Sequence, residues 1–155
     1  MKTLIIGVGN EVLGDDAAGI VIARLLYEKV KSEDIDFQEA CLAGWRCIDF
    51  LKGYDKIIII DALYDKNKPV GVCCKIDIPS HIPLNVQSSH STGFFEALEL
   101  ARQSGAVSLD KIALYGIIAR NIFEFSEQIS QELSEKIPGI VDEIIQEEAM
   151  SVVSI

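Results

Sequence analysis

An α/β fold, one doubly wound domain over residues 1–155, follows from three observations on the sequence. Apolar runs alternate along the chain with helical patterns, as that fold class requires. The run Lys56-Ile57-Ile58-Ile59-Ile60-Asp61 sets four β-branched residues in succession, the composition of a parallel strand covered on both faces. The 155 residues suffice for one core and are too few for two ordinary domains. No internal repeat, linker or low-complexity stretch interrupts the pattern.

Taken in order, residues 2–8 read as a buried strand. From 16 to 30, Ala18, Ile22, Leu25 and Leu26 fall at helical spacing, with Asp15 or Asp16 as cap and first-turn charge. Residues 35–40 form a short second strand, and Ala43-Gly44-Trp45 opens a turn and short helix through Leu51, ended by Gly53. The Ile-rich strand 56–61 comes next, then a fourth strand over 70–77, entered through Pro69 and Gly71. Pro79 to Thr92 is polar and loop-like, and a helix follows from Gly93 to Gln103, with Phe94, Leu98 and Ala101 on one face and Gly105 closing it. Residues 110–118 give the fifth strand. The tail from Ser126 to Ala149 is helical, with Ile129, Leu133, Ile137, Val141 and Ile144 as its buried stripe, and Pro138 kinks or divides it.

Hydrophobic residues make up 49% of the chain and charged residues 25%, a globular composition. The net charge of −10 repels a phosphate backbone and no basic patch is segregated, so nucleic acid is excluded as a partner; the acidity itself serves solubility. No basic stretch precedes an apolar core at the N-terminus, and no apolar run reaches the roughly 18 residues of a membrane span. A soluble, cytoplasmic protein with no membrane association is expected, acting as a monomer. Cysteines 41, 47, 73 and 74 match no zinc spacing and read as small buried hydrophobes.

The stretch Gly7-Val8-Gly9-Asn10-Glu11-Val12-Leu13-Gly14-Asp15-Asp16 joins the first strand to the first helix. A glycine-rich turn at this place ordinarily offers backbone N–H groups to an anion. Here it delivers two carboxylates, favourable for the helix dipole and hostile to phosphate. The dinucleotide fingerprint also fails, because Val12 stands where its third glycine belongs and Gly14 comes too late. The turn suits a cation or the management of a proton.

Ligands of such sheets bind where loops leave the carboxyl ends of neighbouring strands. Asp16 follows the first strand, Asp61 closes the Ile-rich one, and His90 lies in the loop before the helix at Gly93. Two carboxylates and an imidazole make a divalent-metal set or an acid/base site. Each also has a plain structural role open to it: a helix cap for Asp16, a cap or turn for Asp61, a surface or satisfied core imidazole for His90. Asp15 reads as a cap or as a partner behind a ligand, and His81 has less support than His90. No Ser or Cys sits in a motif for covalent catalysis.

With these residues assembled, the chain resembles the hydrogenase maturation proteases over nearly its full length. The resemblance rests on Gly7-Val8-Gly9-Asn10 with Gly14-Asp15-Asp16, on Ile60-Asp61-Ala62, and on Ser89-His90-Ser91 ahead of Glu96-Ala97-Leu98. Ala43-Gly44 and Tyr115-Gly116-Ile117 add weaker matches in family order. The resemblance implies a single-domain α/β/α sandwich around a twisted, mostly parallel sheet, five-stranded by the count above. It implies a cytoplasmic endopeptidase of the aspartate-dependent kind that removes the C-terminal extension from the large-subunit precursor of a [NiFe] hydrogenase. The family's metal-coordinating positions fall on Asp16, Asp61 and His90, which are the expected catalytic and metal-contacting residues. Nickel is expected to arrive inside the precursor as the recognition element rather than to be held permanently by this chain.

Two departures stand out: Ala17 where many relatives have Gly, and Ile118-Ala119-Arg120-Asn121 where many have a Pro-containing segment with an acidic residue. The second bears on which hydrogenase is served. Two other functions fit the same three side chains. One is a nickel-sensing or chaperone-like module without hydrolysis; the other is a different hydrolase on the same scaffold, such as a spore-type protease relative or an aminoacyl-bond hydrolase. Only the protease liberates a C-terminal peptide.

Overall fold

β-Branched and aliphatic runs place five strands in one sheet, in the order β2-β1-β3-β5-β4. The computed structural model describes residues 1–40, 51–77, 102–105 and 107–154. Strand β1 spans Thr3–Val8, β2 Ile35–Ala40, β3 Lys56–Tyr64, β4 Cys73–Ile76 and β5 Ile112–Ala119. The first three and β5 run parallel, in the registers Ile5↔Phe37, Ile5↔Ile58 and Ile58↔Ala113. β4 pairs with β5 antiparallel, Cys74 opposite Gly116, so the sheet is mixed at that edge.

Side chains alternate across the sheet and build two cores. Ile58, Ile60 and Ala62 of β3 join Ile5 and Ile117 on one face. There they meet Ala18, Ile22, Ala23 and Leu26 of helix α1 (Ala18–Val30) and Ile140, Val141 and Ile144 of the C-terminal helix. On the other face Ile57 and Ile59 pack with Leu4, Ile6, Val8 and Leu114, under Leu51 and Val107. The sheet is flanked by helices, as expected.

Several boundaries differ from the sequence reading, each for an identifiable reason. β3 does not end at Asp61: β5 goes on pairing with it through Ala62↔Ile117 and Tyr64↔Ala119, so Asp61 sits inside the strand. The first helix opens with a 3₁₀ turn over Gly14–Ala17 before α1 begins, and Leu25 is exposed rather than part of the buried face. The tail is divided just before Pro138, one of the two alternatives the sequence left open, and helix begins only at Gln131 rather than Ser126. A short turn of helix, α2 (Gln131–Ser134), comes first, and Pro138 stands in the opening turn of α3 (Ile137–Glu147), where its missing N–H leaves no bond unmade. The helical ends at Leu51 and Gln103 are each followed by a turn, with Gly53 and Gly105 at φ +86° and +73°, as the two glycines predict. The loop from Pro79 to Thr92, Cys41, Cys47, and most of the helices expected after Ala43 and Gly93 lie outside the described residues. Cys73 and Cys74 are unpaired thiols, and burial pushes Cys73 up to about 12.

The face under α3 carries a polar knot. The Glu148 side chain, 4% exposed, accepts from Lys75 Nζ at 2.8 Å and is also met by the Lys56 ammonium and the Tyr115 hydroxyl. Burial works to raise the pKa of this carboxyl, but the bonds from Lys56, Lys75 and Tyr115 outweigh it and hold it down at about 2. Burial, then the Glu148 contact, pushes the Tyr115 hydroxyl well above its ordinary range.

A depressed carboxyl stabilises the fold fully above its unfolded-state pKa of 4.5, and that contribution fades as pH falls from there toward 2. Glu148→Gln is expected to cost about 2 kcal/mol at neutral pH. It is also expected to flatten the loss of stability below pH 4.5, read from urea unfolding across a pH series.

Candidate active site

Close packing at two glycines decides where the acidic turn sits. A Cβ at Gly19 would lie 2.3 Å from the Val8 carbonyl oxygen, 2.5 Å from that of Ile60 and 3.0 Å from Asp61 Cα, so only glycine lets α1 lie this close to β1 and β3. Gly14 has φ +58°, a left-handed conformation, and a Cβ there would meet Asn121 Nδ2 and its carbonyl oxygen, both at 2.9 Å. The chain thus turns sharply out of β1 and sets the Gly14–Ala17 turn directly on β3.

The rest of the loop is held by backbone bonds. Asn10 Oδ1 accepts from Val12 N at 3.1 Å, closing an Asx turn. Gly14 N donates to the Ser126 carbonyl and Asp15 N to the Asn121 carbonyl, both at 2.8 Å, while Ser126 N donates back to Val12 O at 2.9 Å. Leu13 and Ser126 form a parallel β-bridge. From α1, Arg24 reaches Glu11 at 3.1 Å and Glu39 at 2.6 Å, pinning the loop to the end of β2. The Glu39 and Glu11 contacts raise the guanidinium pKa further.

Asp15 and Asp16 part company here. Asp15, buried, turns toward the C-terminal region: Oδ1 accepts from Ser130 N at 2.7 Å and Oδ2 from Ser130 Oγ at 3.0 Å. It anchors the residue at the N-cap of α2, not the start of its own helix. Asp16 is fully buried on the 3₁₀ turn, and α1 begins after Ala17 without any side-chain cap bond.

Asp61, 4% exposed, lies opposite Gly116 of β5, one residue beyond the Ile60↔Gly7 pair. By the alternation of β3 it shares its face with Ile57 and Ile59. The turn bearing Asp16 therefore packs on the strand bearing Asp61, toward the carboxyl end of β1. His90 and His81 lie outside the described residues, and among the described residues no three His, Cys, Asp or Glu side chains gather as a metal-sized cluster. Two buried carboxylates offer the hard oxygen donors that a divalent cation takes.

Sequence reasoning did not find Asn121, Ser126 and Ser130 as the wall of this turn. Nothing in a local pattern links Asp15 to a serine 115 residues away. It also missed Arg120, which donates to the carbonyls of Asp65 at 2.8 Å and Lys68 at 2.5 Å and so fixes the loop after β3.

Against known proteins, a family model described as hydrogenase maturation protease matches residues 20–147, a stretch that contains Asp61 and His90 and begins just after Asp16. The chain is 27% identical over 126 residues to the hydrogenase 2 maturation protease of Escherichia coli (strain K12), covering 79% of this chain and 76% of that one. It is 23% identical over 145 residues to the hydrogenase expression/formation protein HupD of Thiocapsa roseopersicina, covering 91% of this chain and 65% of the relative's length. The fold is similar to that of the hydrogenase maturating endopeptidase HybD of E. coli, with a TM-score of 0.81 and 21% identity over 99% of this chain and 97% of that one.

Two outcomes test this geometry. Asp15→Ala is expected to cost about 2 kcal/mol and Ser130→Ala about 1, because the Ser130 backbone N–H keeps its carboxylate; a double-mutant cycle in urea gives the coupling. Gly19→Ala is expected to destabilise by about 3 kcal/mol, since backbone rather than a flexible side chain must yield, and thermal melting reads it.

Proposed function

This chain belongs to the hydrogenase maturation protease family, a family of endopeptidases, and from that premise we propose that it trims the C-terminal extension of a [NiFe] hydrogenase large-subunit precursor. The observation that carries the reading is the seating of the Gly14–Ala17 turn, with buried Asp16, on strand β3, with buried Asp61. The name of the E. coli relative, a hydrogenase 2 maturation protease, supports the same client class.

In this reading Asp16, Asp61 and His90 contact nickel that arrives as cargo of the precursor, and the nickel marks a correctly loaded client. A carboxylate of the pair takes a proton from a water, and the water oxygen bonds to the carbonyl carbon of the scissile peptide. The C–N bond then breaks and the proton passes to the leaving amine nitrogen, giving a shortened subunit and a free peptide. Burial around the two aspartates excludes bulk water and strengthens their hold on a cation. Among the described residues no helix is long and apolar enough to cross a membrane. We place the reaction in the cytoplasm, performed by a monomer.

Asp16→Asn, Asp61→Asn and His90→Ala are each expected to lower processing of nickel-loaded precursor at least about a hundredfold while circular dichroism and melting stay near wild type. A gel that follows the shortened subunit over time is the measurement. Full cleavage by all three variants would overturn the assignment, and wild-type binding without release of a peptide would favour a nickel-sensing role.

A further inference from the structure

Beside the acidic turn, large apolar side chains stand in solvent on a segment that is firmly held. Phe125 is 88% exposed, Phe123 59% and Val12 45%. Val12 and Phe125 line an open groove of 420 Å³ together with Ser126 and Glu127. The groove is not a loose loop: its two sides are joined by the Leu13↔Ser126 bridge and by Ser126 N donating to Val12 O. The Tyr64 ring, 6.3 Å from Phe123 and tilted 56°, backs the second phenylalanine. Aromatic side chains raised from a held backbone make an economical binding surface, since the backbone is ordered before contact.

Charge identifies the occupant. Glu124 and Glu127 are exposed on either side of Phe125, and no Lys or Arg among the described residues closes an ion pair with them. A second copy of the chain, net charge −10, would set acid against acid across such a contact. The fitting partner is a polypeptide segment with an apolar side chain next to Lys or Arg. Position adds to this: Val12 belongs to the same short loop as Asp16, and the Ser126 carbonyl that walls the groove accepts from Gly14 N.

We propose that the Val12–Phe123–Phe125 shelf, with Glu124 and Glu127, docks an apolar-basic segment of the protein substrate and so selects the client. This rests on the protease reading above. Contacts made equally before and during bond cleavage lower KM without changing kcat, and that is the signature expected of a shelf beside the acidic turn that does not itself touch the reacting bond.

The experiment uses the full chain and the nickel-loaded large-subunit precursor from the same genome, with binding and cleavage measured separately at about 0.05 and 0.5 M salt. Phe125→Ser is expected to weaken binding and raise KM about tenfold, with the loss falling on KM rather than kcat. Glu124→Gln/Glu127→Gln is expected to weaken binding at low salt and to flatten its salt dependence. Unchanged binding and KM in Phe125→Ser overturn the shelf while leaving the protease intact. Salt dependence unaltered in the double glutamine variant overturns the basic partner. If the wild type binds and does not cleave, weakened binding by Phe125→Ser supports the shelf although the protease reading fails. A dimer that Phe125→Ser dissolves would assign the surface to a second copy and overturn the proposal.

Discussion

The approach of α1 to the sheet at Gly19 is the constraint on which the rest of the molecule depends. A helix normally rides about 10 Å above a sheet on its side chains, but here its first turn lies with backbone nearly touching the carbonyls of Val8 and Ile60. Gly7 accepts the same closeness from below, where a Cβ would meet Ile20 Cα at 2.7 Å. Three residues before Gly19 comes Asp16, whose carbonyl oxygen would lie 2.2 Å from a Cβ on Gly9. Lifting the helix by one methyl group would lift the acidic turn away from β3 and from Asp61. Packing and chemistry are therefore one requirement at this corner.

The stability that acid removes is held elsewhere. Lys56 lies on the β3 face that carries Ile58 and Ile60, and with Lys75 and Tyr115 it holds Glu148 ionised at the end of α3. Asp61 points to the opposite face, with Ile57 and Ile59. The sheet thus separates Glu148, kept charged at neutral pH, from Asp61 on the other face. Protonation of Glu148 weakens the attachment of the last helix.

Much of this was legible in the residues. The Ile-rich strand, the short second strand at 35–40 and the glycines ending helices at 53 and 105 follow from local chemistry, because a β-branched run or a left-handed glycine acts over a few residues. What escaped depends on partners distant in sequence. The extension of β3 beyond Asp61 needs β5 beside it, and the direction of β4 is set by its neighbour rather than by Cys73–Ile76. Pro138 was legible as a break, but its role as a helix start emerges only from the separate turn at Gln131–Ser134. In the candidate site, Asp16 was legible as a residue of the turn after β1, whereas the place of Asp61 inside β3 and the turning of Asp15 toward Ser130 were not, since two adjacent aspartates look alike until one of them meets its donor.

The segment from Arg120 to Ser130 gives the two halves of the rim a common frame. Arg120 fixes the loop after β3, Asn121 and Ser126 receive the backbone of Gly14 and Asp15, and Ser130 caps the Asp15 carboxylate. Phe123, Phe125, Glu124 and Glu127 project outward from that same stretch. A different residue at 120 would remove the side-chain anchor of the loop after β3, while the backbone carbonyls at 121 and 126 would still receive the turn. On the proposal above, client choice and the placing of the acidic turn share this one segment, while the glycine-packed corner beneath them stays a matter of sterics. On that proposal, selectivity changes by exchange of exposed side chains without disturbing Asp16, four residues from Val12.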